Sequence, residues 1–158
     1  MCSSDLAQVI PMDYTPHKEV SSIATINLTS SAHVGAEKGM EELAHYAQSL
    51  RDASGRTTIV TCGERGCLIA EEGRIGTTPL HIPAYVLPEV IDSMGAGDVF
   101  RAGVLFGQWK GWEIERTARF ASAAAALNCT ALGGWGGVRT LEEIEAFQNS
   151  TETHPMLG

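Results

Sequence analysis

Gly95-Ala96-Gly97-Asp98 sets two glycines and an acid at the mouth of a helix-length apolar run, with Asp92-Ser93-Met94 between it and an extended stretch ending Pro88-Glu89-Val90-Ile91. Few chain geometries use such a junction. Glycine lets the backbone turn sharply and approach a ligand closely. The first turn of a helix leaves N–H groups without intrahelical partners, with the positive end of the helix dipole behind them. The product is an anion site. Asp98 lies in the same turn, where a carboxylate can take a proton from an incoming hydroxyl. Donors for a developing phosphoryl charge beside a base are what phosphoryl transfer to an alcohol needs. The same four residues also read as a simple helix cap, with Asp98 favourable at the N-terminus. Two other glycine motifs are excluded: Phe100 breaks G-x-G-x-x-G, and G-x-x-x-x-G-K-[ST] does not occur.

The rest of the chain alternates strands and helices. Residues 7–12 and 23–28 read as short strands. Residues 36–52 place Met40, Leu43, Ala44, Ala47 and Leu50 on one helical face, and Gly55 can end that helix in the left-handed conformation. Thr57–Thr61 is β-branched and suits a strand. Cys67–Ala70 and residues 81–86 follow as strands, with a polar turn at 71–76. Ala96–Trp109 and residues 114–132 are helix-length and apolar on most sides, as in helices buried between layers. A glycine-rich loop occupies residues 133–137. Thr140 and Glu143 form a capping box opening a short helix over residues 141–147, and the tail from Gln148 reads as frayed. This order predicts one layered α/β structure.

Composition narrows the function. Lysine and arginine total 11 against 19 acids, a net charge of -8, which leaves no electrostatic footprint for nucleic acid or an anionic membrane. No apolar run approaches the ~18 residues of a membrane span, and the start lacks a secretory pattern; a cytoplasmic setting is expected. The cysteines form no C-x-x-C pair. A Cys62–Cys67 disulfide is open, although free thiols suit that setting better. The histidines are scattered without metal-ligand spacing. Trp109, Trp112 and Trp135 read as packing residues, Arg101 as an exposed helix arginine, and Ser93 has no histidine partner for a nucleophile triad.

Residues 92–103 resemble the second signature of the ribokinase-like, PfkB-type carbohydrate kinases, D-[ST]-x-G-A-G-D-x-F-x-x-G. Thr61-Cys62-Gly63-Glu64-Arg65-Gly66 is similar to that family's T-x-G-x-x-G nucleotide loop. Arg119 to Leu127 resembles its alanine-rich helix, and Gly133 begins the loop that follows. The resemblance implies a layered α/β fold with a mainly parallel sheet flanked by helices, and an ATP-dependent kinase acting on a sugar or related alcohol. Asp98 falls on the catalytic base, and Gly95, Ala96 and Gly97 on the anion hole. Thr61, Gly63, Arg65 and Gly66 fall on the loop around the ATP phosphates and ribose, and Ser122 on an adenine-side position. Many relatives hold a monovalent cation, usually potassium, behind the anion hole. The matching positions are Asp92, Met94, Asn128, Ala131, Gly133 and Gly137, mostly through backbone carbonyls. For Asp92 a turn carboxylate is an equal reading. ATP and Mg2+ are the implied cofactors, with K+ as a third. A small-molecule sugar is the implied substrate, and a homodimer of the full-length protein is compatible.

The resemblance also has gaps. Family members run close to twice this length, and the sugar-binding half, its lid and the first glycine signature are not visible. Residues 27–37 carry Asn27 and Glu37 at the wrong spacing for the magnesium-organising N-x-x-E motif, so neither is assigned. Residues 1–6 resemble a translated sequencing-adapter end and read as a non-native start, so an N-terminally truncated chain is expected. Residues 7–56 then form a poorly matched remnant, 57–147 the nucleotide-binding part and 148–158 a tail. Such a chain is expected to lack efficient turnover alone. A non-catalytic nucleotide-binding or interaction module of the same fold, and a nucleoside kinase, are the alternatives.

Overall fold

The computed structural model describes residues 8–9, 24–35 and 37–155. They belong to two compact units, Met1–Gly63 with Cys67–His81, and Glu64–Gly66 with Ile82–Met156. The expected strand over residues 7–12 is described only at Gln8–Val9; its remainder lies outside the described residues.

The first unit is built on a sheet in the order β1 (Gln8–Val9), β2 (Ile26–Ser30), β3 (Thr57–Thr61), β4 (Cys67–Ala70), β5 (Leu80–Ile82). β1 pairs with β2 and β2 with β3 in parallel, whereas β3 and β4 are antiparallel, with Thr61 opposite Cys67. Parallel neighbours cannot be joined by a tight turn. Helix α1 (Met40–Ser54) makes the crossover from β2 to β3 and ends as expected on Gly55 at φ 69°. It starts four residues later than the sequence predicts, after Gly39 takes the N-cap position. Leu43 and Ala47 face Val60, Leu68 and Ala70 in a core that water does not reach. β2 lies two to three residues beyond its predicted span. Arg51 is buried beneath the β4–β5 turn, where Nη1 donates to the Arg74 carbonyl at 2.7 Å and Nη2 pairs with Asp52 at 2.8 Å. Cys62 and Cys67 are buried and not joined in a disulfide.

The second unit packs α2 (Ala96–Trp109) against α3 (Ile114–Asn128) with α4 (Leu141–Ser150) beside α3. Bare backbone makes the α2–α3 approach close. A Cβ on Gly103 would stand 2.7 Å from the Ala121 Cα, and one on Gly107 2.5 Å from the Thr117 hydroxyl. Phe120, Ala123, Ala124, Ile144 and Tyr85 form the core, with Phe106 stacked on Phe120 at 5.3 Å between centroids.

Three predicted boundaries move in this unit. The strand over residues 81–86 stops at Ile82, because Pro83 brings no N–H to continue a ladder. Helix α3 stops at Asn128 rather than at residue 132. There the Thr130 hydroxyl donates to the Leu127 carbonyl at 2.8 Å, and Gly137 closes over Leu127 and Asn128. The described part of the tail, residues 148–155, is held in place: α4 runs to Ser150, and Val86 and His154 donate to the Glu152 and Ala84 carbonyls at 2.8 Å. Among the described residues no helix is long and apolar enough to cross a membrane.

Candidate functional site

The second unit carries the glycine turn and the loop that faces it. Gly95 caps α2 in the left-handed conformation, φ 73° and ψ -4°. A Cβ there would lie 2.0 Å from the Gly134 carbonyl oxygen, so the turn and the glycine-rich loop meet backbone to backbone. Of the four N–H groups in residues 95–98, two are engaged. Ala96 donates to the Ser93 carbonyl at 3.2 Å and Asp98 to the Gly95 carbonyl at 2.9 Å. The N–H groups of Gly95 and Gly97 have no acceptor among the described residues. These two are the donors an anion would meet, fewer than the turn has in sequence.

Asp98 is exposed in the first turn of α2, and its Oδ1 accepts from the Arg101 guanidinium at 2.7 Å. Arg101 is therefore a partner of the candidate base, which the sequence reading missed. The three-residue spacing on one helix was the available signal. Asp98 offers an accessible carboxylate one residue past an open N–H, and this pairing of donor and base can serve a phosphate and a hydroxyl together.

Behind the turn, Asp92 is half-buried. Its Oδ1 accepts from the Met94 N–H and its Oδ2 from the Gly133 N–H, both at 2.9 Å. These two bonds, Met94's first, hold the Asp92 carboxyl below the usual carboxylate range. Asn128 is fully buried at the end of α3. Its amide donates to the Met94 and Gly134 carbonyls at 3.2 Å each, and its Oδ1 accepts from the Gly137 N–H at 3.3 Å. Cys129 accepts the Ile91 N–H through its carbonyl at 2.9 Å. Burial, and then the Asp92 charge, push its thiol up.

Asp92, Met94, Gly95, Asn128, Gly133 and Gly137 thus come together. Ala131 lies in the turn after α3, where its N–H bonds the Asn128 carbonyl at 3.4 Å. Ser122 is buried on α3, six residues before Asn128, and makes no hydrogen bond to this group. The nucleotide-loop candidates are divided between the units. Thr61 ends β3 and donates through its hydroxyl to the Thr29 carbonyl at 3.2 Å, and Gly63 opens a 3-10 turn at φ 61°. In the second unit Arg65 is half-buried, and Gly66 sits at φ 88° where a Cβ would meet the Ile82 carbonyl oxygen at 2.0 Å. Asp92 and Asn128, two of the candidate positions for a monovalent cation, bond backbone N–H and C=O groups, each Asp92 oxygen accepting one N–H. Among the described residues no group of three or more His, Cys, Asp or Glu side chains is placed to hold a metal ion.

Comparison with known proteins adds an independent line. Residues 18–140 match the pfkB family carbohydrate kinase pattern. The chain is 31% identical over 131 residues to a ribokinase of Bacillus subtilis, covering 83% of this chain and 37% of that one. A ribokinase crystal structure from Thermotoga maritima superposes with a TM-score of 0.71 at 22% identity, over 84% of this chain and 45% of that one. A nucleoside kinase of Burkholderia thailandensis, solved in complex with ADP-inosine, gives a TM-score of 0.63 at 26% identity, over 84% and 40%. The chain therefore spans less than half the length of these relatives, and its fold is part of the ribokinase-like fold.

Proposed function

Since the chain belongs to the pfkB family of carbohydrate kinases, we propose that it provides the phosphoryl-handling part of an ATP-dependent kinase for a sugar or related small alcohol. The observation that carries this is the turn at the head of α2. There the Gly95 and Gly97 N–H groups stand open beside the exposed carboxylate of Asp98.

In the proposed reaction the acceptor hydroxyl attacks the γ-phosphorus of ATP while Asp98 takes its proton. The new O–P bond forms as the bridging O–P bond to ADP breaks. The N–H groups of Gly95 and Gly97 meet the charge on the transferring oxygens, and Arg101 holds the carboxylate between turnovers. Thr61, Gly63, Arg65 and Gly66 are proposed to border the nucleotide phosphates and ribose, and Ser122 the adenine side. Magnesium would arrive on the nucleotide. Potassium would be held at the Asp92, Met94, Asn128, Ala131, Gly133 and Gly137 positions, mostly by backbone carbonyls.

Two further readings have an observation behind them. The likeness to a nucleoside kinase makes a nucleoside hydroxyl a rival acceptor. A module that binds nucleotide without turnover is the other reading, since the open N–H groups of Gly95 and Gly97 serve binding alone. The test is ADP release from ATP by the full-length gene product with panels of pentoses, hexoses and nucleosides, alongside calorimetric binding of a non-hydrolysable ATP analogue with magnesium. Transfer to a sugar, reduced by roughly two to four powers of ten in Asp98→Ala with analogue binding kept, supports the proposal. Transfer to nucleosides alone reassigns the acceptor. Binding without transfer favours the non-catalytic module, and no binding by the folded chain overturns the phosphate reading.

A further inference from the structure

Asp92 and Asn128 enter the family resemblance only as members of a cation site, yet their contacts describe a different task. A turn carboxylate that merely caps its own loop needs one local N–H, which Met94 supplies two residues on. The second Asp92 oxygen instead reaches 41 residues along the chain to the Gly133 N–H. Asn128 continues the connection from the other side. Both of its amide hydrogens are used, one on Met94 and one on Gly134, and its oxygen takes the Gly137 N–H. Met94 is thus held at its N–H by Asp92 and at its carbonyl by Asn128, immediately before a residue whose N–H has no acceptor among the described residues. The next residue, Gly95, rests on the Gly134 backbone with no space for a Cβ.

We propose that Asp92 and Asn128 are positioning residues, a clamp between the 92–95 turn and the 133–137 loop that fixes where the open N–H groups of Gly95 and Gly97 point. This rests on the phosphate reading of that turn for its functional consequence, though not for the clamp itself. Burial argues for it. Asn128 is at 0% exposure, and a buried amide with every donor satisfied has one orientation rather than several. Two of the bonds, Asp92 to Gly133 and Asn128 to Met94, join positions 41 and 34 residues apart, so no local turn preference can replace them. A phosphate oxygen gains full benefit from N–H donors only when they are already aimed, since reorienting them at the moment of binding costs what the bonds return.

The experiment compares the 158-residue chain with Asp92→Asn, a half-exposed and nearly isosteric change that keeps the fold. Asn128→Asp, at the buried position, is the second variant, checked for folding by tryptophan fluorescence. The first readout needs no ligand: amide exchange at Met94, Gly133 and Gly137, and the amide resonances of Gly95 and Gly97. Asp92→Asn should expose Met94 or Gly133 to exchange and move the Gly95 and Gly97 resonances. Asn128→Asp keeps an acceptor for the Gly137 N–H but sets an oxygen against the Met94 and Gly134 carbonyls, so it should leave Gly137 protected and move the Gly95 and Gly97 resonances. The second readout is calorimetric affinity for a magnesium-bound non-hydrolysable ATP analogue at a temperature where all chains are folded. Each variant should weaken binding by about tenfold or more. Unchanged Gly95 and Gly97 resonances would overturn the clamp, as would open exchange with undiminished affinity. If the parent chain binds no analogue, the phosphate reading fails and the ligand-free readout alone decides on the clamp.

Discussion

Gly95 and Gly97 are two residues apart, and the same substitution should have opposite effects at each. At Gly95 a Cβ faces two penalties. The backbone is at φ 73°, a conformation that costs an alanine about 1–2 kcal/mol. The new carbon would also lie 2.0 Å from the Gly134 carbonyl oxygen, which must move, and forced repacking of this kind costs about 1–3 kcal/mol. Gly95→Ala should therefore lose about 2–5 kcal/mol. At Gly97 φ is ordinary and a Cβ meets nothing within 4 Å, so Gly97→Ala should be neutral or gain up to about 1 kcal/mol from helix propensity. Urea unfolding followed by tryptophan fluorescence is the suitable assay. Trp109, Trp112 and Trp135 are the chain's only tryptophans, and all lie in the second unit. With a slope of about 1–3 kcal/mol per molar, a 3 kcal/mol gap separates the midpoints by about 1–3 M. Equal midpoints for the two variants would refute the backbone contact between the turn and the loop.

Two other outcomes follow from the same unit. Gly107→Ala should cost about 1–3 kcal/mol by driving a methyl into Thr117 between α2 and α3, read in the same urea assay; an unchanged midpoint would contradict the close approach. Glu143 accepts the Thr140 N–H at 2.8 Å, and this bond, with the Thr140 hydroxyl contact next, lowers its pKa. Its folded form thus prefers the charged state. The cap is fully present above the ordinary glutamate range and is lost as pH falls through the lowered folded value. The Thr140 amide resonance should titrate below the ordinary range and lose that titration in Glu143→Gln; a midpoint at or above that range would refute the cap's influence.

What the sequence revealed was set by distance along the chain. The capping box of α4, the left-handed end of α1 at Gly55 and the β-branched strand Thr57–Thr61 depend on neighbours within a few residues, and each is present. The glycine turn was readable too, because Gly95 must be glycine for its φ alone. Which of its N–H groups remain open was not readable, since that depends on how Ser93 and Gly95 direct their carbonyls. The end of α3 was misjudged because an apolar pattern continues to Leu132, whereas the helix is ended by Thr130 and by Gly137 folding back over it. The tail looked frayed for want of local signals, although it bonds to a segment some 70 residues earlier. Asn128 was visible as a residue and invisible as a junction, because its partners come from two other segments.

The account depends most on the turn at the head of α2 receiving a phosphate. The direct measurement is a titration of the 15N-labelled chain with a magnesium-bound non-hydrolysable ATP analogue, following the Gly95 and Gly97 amides. Saturable shifts at both, retained in Asp98→Ala, are the predicted result. Saturable binding that leaves both amides still, or no binding by a folded chain, would contradict it.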